Sequence, residues 1–304
     1  QSLGGKNIDQ MDMGKPTYDM LPKGERASEL IPGGVWFNSS PLTLEKLKGK
    51  VVIVDFWTYS CINCQRTLPY LKTWYDKYKD KGLVIVGVHS PEFEFEKNPE
   101  NVKKAIADFG LSYAIMQDNN FATWQAYDNH YWPAKYFIDK DGYIRYTHFG
   151  EGAYDESERI IQELLKEAGA SGIKSDINNP SYEVYTQTPE TYLGYLRLDR
   201  LASPENVINN AISSYTAPTV PQNYFAMSGK WEVMQEYASP KVGAKLFLNF
   251  APKDVYLVMR NKGIPAKVKV YLDDKLQYFG EYNKRGTVTV DADRLYKLIN
   301  LPNP

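Results

Sequence analysis

The sequence predicts an α/β domain followed by an all-β, jelly-roll-like sandwich. Three observations predict it. First, between about residues 50 and 170, apolar runs rich in β-branched residues alternate with segments of helical periodicity. Second, residues 171–181 are polar and rich in Ser, Asn and Gly, as a linker is. Third, the chain beyond them breaks into short runs that alternate charged and apolar residues, such as Lys267 to Leu272, the pattern of a sheet with one wet face. The expected organisation is a leader or linker over 1–27, an α/β domain over 28–170, the linker 171–181 and a β-sandwich over 182–304.

Taken in order, Gly4, Gly5, Gly14, Pro16, Pro22 and Gly24 give the first thirty residues little periodicity. Trp36-Phe37 and Leu42 to Leu47 predict a short strand and a helical turn ending at Gly49. Val51–Trp57 is a buried strand, and Leu68, Leu71, Trp74, Tyr75 and Tyr78 mark a helix closed by Gly82. Leu83–Val88 is a second buried strand, and two parallel strands joined by a helix imply a right-handed crossover. Asn98-Pro99 starts a helix and Gly110 stops it, with Val102, Ile106 and Phe109 inward. Tyr113–Met116 is a short strand and Phe121–Tyr127 a helical turn. Ala134–Asp139 and Tyr143–Phe149 are strands around a Lys-Asp-Gly hairpin signal. Glu156–Ala168 is an amphipathic helix stopped by Gly169. In the second half, strands are expected at 245–250, 254–260, 267–272 and 286–291. The terminal Leu-Pro-Asn-Pro is a turn signal, so a closing strand is expected to be missing from the chain. The start at Gln1 suggests processing or excision from something longer; no signal peptide is visible.

Composition narrows the function. The 304 residues are 43% hydrophobic with a net charge of −1, which offers nothing to nucleic acid or an anionic membrane. No apolar run approaches the length of a membrane span. The only two cysteines, Cys61 and Cys64, form one C-x-x-C motif, so no separate structural disulfide exists. A structural zinc needs four ligands, and His89, His130 and His148 are scattered. A static bridge is the other alternative to a redox pair. The motif sits where a strand turns into a helix, where orphan N–H groups and the helix dipole favour an anion. A thiolate there is stabilised, and only a thiolate attacks a disulfide. Cys61 is the expected attacker and Cys64, one turn inward, the resolver, giving reversible dithiol–disulfide exchange with protein substrates. No cofactor is required beyond that pair. Thr58-x-x-Cys61 matches part of a peroxidase motif, but Val54 stands where that motif needs proline.

VDFW-x-x-x-C-x-x-C at 54–64 resembles the thioredoxin active-site segment. Asp55 lies six residues before Cys61, Pro69 lies eight after it, and Trp132-Pro133 before AKYFID resembles the cis-proline of the thioredoxin fold. The extra helical segment after the second strand resembles the TlpA-like, redoxin branch. WTYSCINCQRTLPYL, GVHSPEF and YWPAKYFIDKDG resemble the extracytoplasmic thioredoxin-like part of DipZ-type proteins, closely over about 28–170. TPETYLGY and DVYLVM resemble, more loosely, that family's carbohydrate-binding-module-like domain. The resemblance implies a thioredoxin fold with a TlpA-like insertion, an extracytoplasmic and membrane-tethered setting, and a CcdA- or DsbD-like membrane electron donor. It implies that Asp55 handles the proton as Cys64 reacts and that Pro133 positions the substrate backbone. Trp57 and Trp132 are candidates to flank the pair, each weighed against ordinary packing or a loop aromatic. Ile62-Asn63, the neutral dipeptide between the cysteines, favours a reductant over an oxidant.

The remaining candidates have bland alternatives that weigh more. His130 reads as a solvated loop histidine. Glu92, near where a TlpA-like relative keeps an acidic residue, reads with Glu94 and Glu96 as a solvated acidic edge. Trp231, Tyr224, Tyr237, Tyr256, Tyr278 and Tyr282 suit a sugar-stacking platform, but sandwich cores absorb most tyrosines, so none is assigned. A glycan or partner protein on the sandwich is the alternative function.

Overall fold

A computed structural model describes residues 21–180, 188–276 and 286–301. Most of the expected leader, the start of the expected sandwich at 182–187, Tyr278, Tyr282 and the terminal turn lie outside the described residues. Two compact units separate. One takes the chain up to Trp57, Thr67–Ser90 and Leu111–Asn179; the other takes Thr58–Arg66, Pro91–Gly110 and the chain from Pro180 onward.

The first unit is built on one mixed sheet. Its strands are β1 (Trp36–Phe37), β2 (Val51–Trp57), β3 (Leu83–His89), β4 (Ala114–Gln117), β5 (Ala134–Ile138) and β6 (Ile144–Phe149), in the order β1-β4-β3-β2-β5-β6. β2, β3 and β4 run parallel, while β1, β5 and β6 pair antiparallel. All seven residues of β2 are buried, which is why it reads as an unbroken apolar run rather than an alternating one. Successive side chains still point to opposite faces. Val52, Val54 and Phe56 join Val86, Val88, Met116, Tyr136 and Ile138 in one core cluster. Phe56 is its hub, with Trp124, Tyr127 and Tyr136 set edge-on at 5.5–5.7 Å. By the same alternation Ile53, Asp55 and Trp57 occupy the opposite face.

Helix α1 (Ile62–Tyr78) begins after the four residues Thr58 to Cys61 that follow β2. The chain then tightens into a 3-10 turn at Lys79–Lys81 and stops at Gly82, whose φ of 104° only glycine adopts without strain. Helix α2 (Pro99–Phe109) starts as its signals predict: the Asn98 side chain accepts the Glu100 N–H at 3.0 Å, Pro99 opens the first turn, and Gly110 ends it in the left-handed conformation. Helix α3 (Ala122–Ala126) is short, and α4 (Tyr154–Glu167) buries Ile160, Ile161, Leu164 and Leu165. Tyr70 of α1 stacks on Tyr154 of α4 at 3.4 Å between ring centroids. Leu42 to Leu47 form turns, not a helix. The sheet and helices give this part a thioredoxin-like fold.

The second unit is mostly strands: β7 (Ile212–Tyr215), β8 (Phe225–Val233), β9 (Ala238–Pro240), β10 (Lys245–Leu248), β11 (Asp254–Met259), β12 (Ala266–Lys269), β13 (Tyr271–Leu272), β14 (Lys275–Leu276), β15 (Thr287–Val290) and β16 (Arg294–Asn300). The described strands fall into several small sheets: β7 to β10 in one, and the pairs β11·β16, β12·β15 and β13·β14. The described part is a β domain of several small sheets, which is not specific to the expected jelly roll. Two small cores divide the burial, one around Tyr215, Phe225, Met227, Trp231 and Val233, the other around Val270, Val288, Val290, Tyr296 and Ile299. β8 and β16 escape the sequence reading. FAMSGKWEV lacks a period of two and is broken by Gly229 at φ 83°, and RLYKLIN runs into the terminal turn signal. Of the weighed aromatics, Trp231 is core, Tyr224 and Tyr237 are exposed and Tyr256 is half-buried.

Gly87 lies in β3 directly opposite Asp55. A Cβ there would meet Trp57 Nε1 at 3.0 Å, Ile115 Cγ1 at 3.1 Å and Tyr113 Cε2 at 3.3 Å. Gly87→Val is therefore expected to destabilise the chain by about 1–3 kcal/mol through overpacking. Urea melts check it; a variant as stable as wild type contradicts this account of the core.

Candidate functional site

Helix α1 begins at the cysteine motif because a cysteine caps it. Cys61 stands immediately before Ile62, and its Sγ accepts the Cys64 N–H at 3.4 Å. Its carbonyl accepts the Gln65 N–H at 3.0 Å, and its own N–H reaches the Thr58 carbonyl at 3.4 Å. Sulfur thus fills the place that a Ser or Asp oxygen takes at other helix starts, satisfying one of the orphan donors. Negative charge on that sulfur meets an N–H and the positive end of the helix. Cys61 is half-buried and Cys64 buried, so of the pair the capping sulfur is the one a partner reaches first. Ile62 and Asn63 are half-buried between them.

On the sheet, Asp55 is wholly buried and neither carboxyl oxygen accepts a hydrogen bond among the described residues. Burial pushes its pKa from 3.8 up to about 7, and the charge of Lys135 pulls the other way. Lys135 faces it from β5, in direct register, and is also wholly buried. The same register sets Ala134 opposite Phe56, so Pro133 precedes the strand that runs beside the end of β2. The Trp132–Pro133 bond is cis. Pro133 is buried and Trp132 half-buried. The Trp132 indole N–H donates to the Ser90 carbonyl at 3.1 Å, and its ring lies 4.3 Å from Trp124 and 6.4 Å from Phe121. Trp132 is therefore part of an aromatic cluster rather than a lone loop side chain. Trp57 is wholly buried, edge-on to His89 at 5.1 Å. His89 is held neutral by burial, its pKa lowered to about 3.

The pair Cys61–Cys64 is brought together, and Asp55, Trp57 and Pro133 gather at one end of the sheet. His130 does not join them; it is exposed beside Asp128. The three glutamates do not form the solvated edge expected from the sequence. Only Glu94 is solvated. Glu92 is nearly buried and engaged by Arg197 Nη1 and the Tyr192 hydroxyl, each at 2.8 Å. Glu96 is wholly buried. Its carboxyl accepts the Ser60 hydroxyl at 2.6 Å, the Ser60 N–H at 3.2 Å and the N–H groups of Glu92 at 2.6 Å and Phe93 at 3.0 Å. Three glutamates in alternation look alike as a sequence, and what separates them is the turn they enter. Lys135 and His89 were also missed. For Lys135 a signal was present: a lone charge in the apolar strand AKYFI, between two neighbours of the same sheet.

Residues 36–164 match the Redoxin family, and residues 188–304 match the thioredoxin-like C-terminal domain family. Protein DipZ of Mycobacterium tuberculosis is 41% identical over 243 residues, covering 77% of this chain and 35% of DipZ. The chain thus spans about a third of the length of the DipZ relatives it matches. Thiol-disulfide oxidoreductase YkuV of Bacillus subtilis is 32% identical over 140 residues, 46% of this chain and 93% of YkuV. Thiol-disulfide oxidoreductase ResA of Bacillus cereus is 29% identical over 123 residues, 40% of this chain and 68% of ResA.

The buried Asp55 makes stability depend on pH. Its folded pKa of about 7 lies above the ordinary 3.8, so the stability it contributes is complete below about pH 4 and is lost as pH rises through 7. Asp55→Asn lacks that loss. Between about pH 5 and about pH 8 it is expected to gain on wild type by on the order of 1–3 kcal/mol in urea melts. A difference that stays constant across that range contradicts the assignment.

Proposed function

On the premise that this chain belongs to the thioredoxin-like thiol-disulfide oxidoreductases, with a DipZ-type order of redoxin and C-terminal parts, we propose that it reduces disulfides in protein clients through Cys61 and Cys64. The observation that carries the reading is the half-buried Cys61 sulfur capping α1 with the Cys64 N–H at 3.4 Å.

The Cys61 thiolate attacks one sulfur of a client disulfide. A mixed disulfide forms and the other client sulfur leaves as a thiolate, which takes a proton. Cys64 gives its proton to the Asp55 carboxylate and attacks the Cys61 sulfur. The client's second thiol is released and a Cys61–Cys64 disulfide remains, two electrons having passed to the client. An Asp55 pKa of about 7 supports proton exchange near neutrality, where both of its forms are populated. Pro133, which follows Trp132 through a cis bond, positions the client backbone in this reading. A membrane electron donor of CcdA or DsbD type returns the pair to the dithiol form, and the chain works outside the cytoplasm; the match to DipZ supports this setting. Among the described residues no helix is long and apolar enough to cross a membrane.

Insulin reduction is the direct check. Wild type is expected to precipitate the insulin B chain, Cys61→Ser to lose that activity, and Cys64→Ser to accumulate mixed disulfides that identify the client by mass. The dithiol is expected to titrate against glutathione at a potential below about −180 mV, and a value well above it overturns the reducing direction.

A further inference from the structure

The segment between β2 and α1 is only Thr58, Tyr59, Ser60 and Cys61 itself, and its first three residues fix where the Cys61 sulfur sits. It is a tight turn, closed by the Cys61 N–H on the Thr58 carbonyl at 3.4 Å. One side chain from a distant part of the sequence fills it. Glu96 Oε1 accepts both the hydroxyl and the N–H of Ser60, at 2.6 and 3.2 Å. The Thr58 hydroxyl adds a further bond to the same carboxyl. Oε2 accepts the N–H groups of Glu92 and Phe93, at 2.6 and 3.0 Å. Glu96 stands in the short 3-10 turn Glu94–Lys97, and its bond to Phe93 is half of a capping box.

A carboxylate offers about four acceptor sites, and here all are taken by neutral donors. Among the described residues no lysine or arginine joins them. Burial pushes the Glu96 pKa up, the Ser60 and Thr58 hydroxyls and the Phe93 N–H pull it down, and Glu92 pushes it up again. Glu92 itself is met by Arg197. An apolar residue of similar size would fill the space without burying an ionisable group, so packing alone does not explain a glutamate here. Acceptance of donors from both turns at once does explain it, because only a forked acceptor reaches both.

We propose that Glu96 is the positioning residue of the exchange reaction: by clamping Thr58 and Ser60 it holds the Cys61 sulfur over the first N–H groups of α1. The proposal rests on the reading of Cys61 as the attacking thiol. If the clamp is lost, the turn gains freedom, the sulfur leaves the helix donors for part of the time, and the thiolate loses its stabilisation.

The test uses the full chain in a Cys64→Ser background and follows alkylation of Cys61 by iodoacetamide against pH. Glu96→Ala is expected to slow alkylation at neutral pH by about fivefold or more, the worth of one lost hydrogen bond. Its rate profile is expected to reach half-maximum at a higher pH. Glu96→Gln keeps an oxygen for Ser60 but turns an amide toward the Glu92 and Phe93 N–H groups, so it is expected to fall between. A folded Glu96→Ala with an unchanged profile overturns the proposal. If Glu96→Ala fails to give a native near-UV spectrum, Ser60→Ala decides, since it removes a single hydroxyl: an upward move of the midpoint supports the clamp, and an unchanged midpoint overturns it. Insulin reduction by the parent chain separates the two readings. A chain inert toward insulin sinks the exchange reading, whereas an active chain with an unchanged Glu96→Ala profile sinks only the positioning role.

Discussion

The contact on which the site depends is one N–H pointing at one sulfur. At an ordinary helix start an oxygen side chain accepts from the third residue of the helix. Here Cys61 does so, and the residue that donates is Cys64. The bond that begins the helix is thus also the bond that sets the two cysteines face to face. A C-x-x-C spacing follows from this: two intervening residues put the second cysteine at the third helical position, where its N–H is an orphan and its side chain lies one turn inward. Any element that shifts the start of α1 shifts the chemistry.

Two kinds of support hold that start in place. β2 supplies rigidity, since every residue of it is buried and it is flanked on both sides by strands. Glu96 supplies direction, since its carboxyl takes donors from the turn that β2 runs into. Both supports are built from groups that ordinarily avoid a core. Asp55, His89, Glu96 and Lys135 are all wholly buried. Each is tolerated for a different reason. His89 becomes neutral, Asp55 is driven toward its protonated form with Lys135 in register across from it, and Glu96 is wrapped in neutral donors. Asp55, His89 and Lys135, buried ionisable groups on neighbouring strands of one sheet, mark a candidate site, because such groups are costly to bury.

The β unit follows another economy. Its sheets are small, and its two cores are each organised by aromatic residues. Tyr296 shows how: wholly buried in its own strand, its hydroxyl accepts the N–H groups of Asp291 and Ala292 at 3.1 and 3.0 Å and donates to the Ala292 carbonyl at 2.7 Å. A phenol placed so stitches the approach to β16 onto the strand itself. Trp231 behaves similarly, giving its indole N–H to the Ser228 carbonyl at 3.1 Å. The abundance of tyrosine in the sequence is explained in part by this use, in which the ring is packed and the hydroxyl closes a turn.

The sequence by itself determined the order of strands and helices in the first half, the helix stops at Gly82 and Gly110, the Asn98 cap and the cysteine motif at a strand-to-helix junction. These are local properties: periodicity, capping chemistry and glycine at positive φ act within a few residues. It also singled out Asp55 and Pro133 as candidates, through the resemblance of their surroundings to a known active-site segment. Only the tertiary structure decided that Glu96 is buried while Glu94 is not, that Lys135 faces Asp55, that Trp132 belongs to an aromatic cluster, and that FAMSGKWEV is a nine-residue strand. The reason is common to all four. Whether a charge or an aromatic ring meets water or a partner is set by residues tens of positions away, and a single chain read in order carries no signal of which distant segment will arrive.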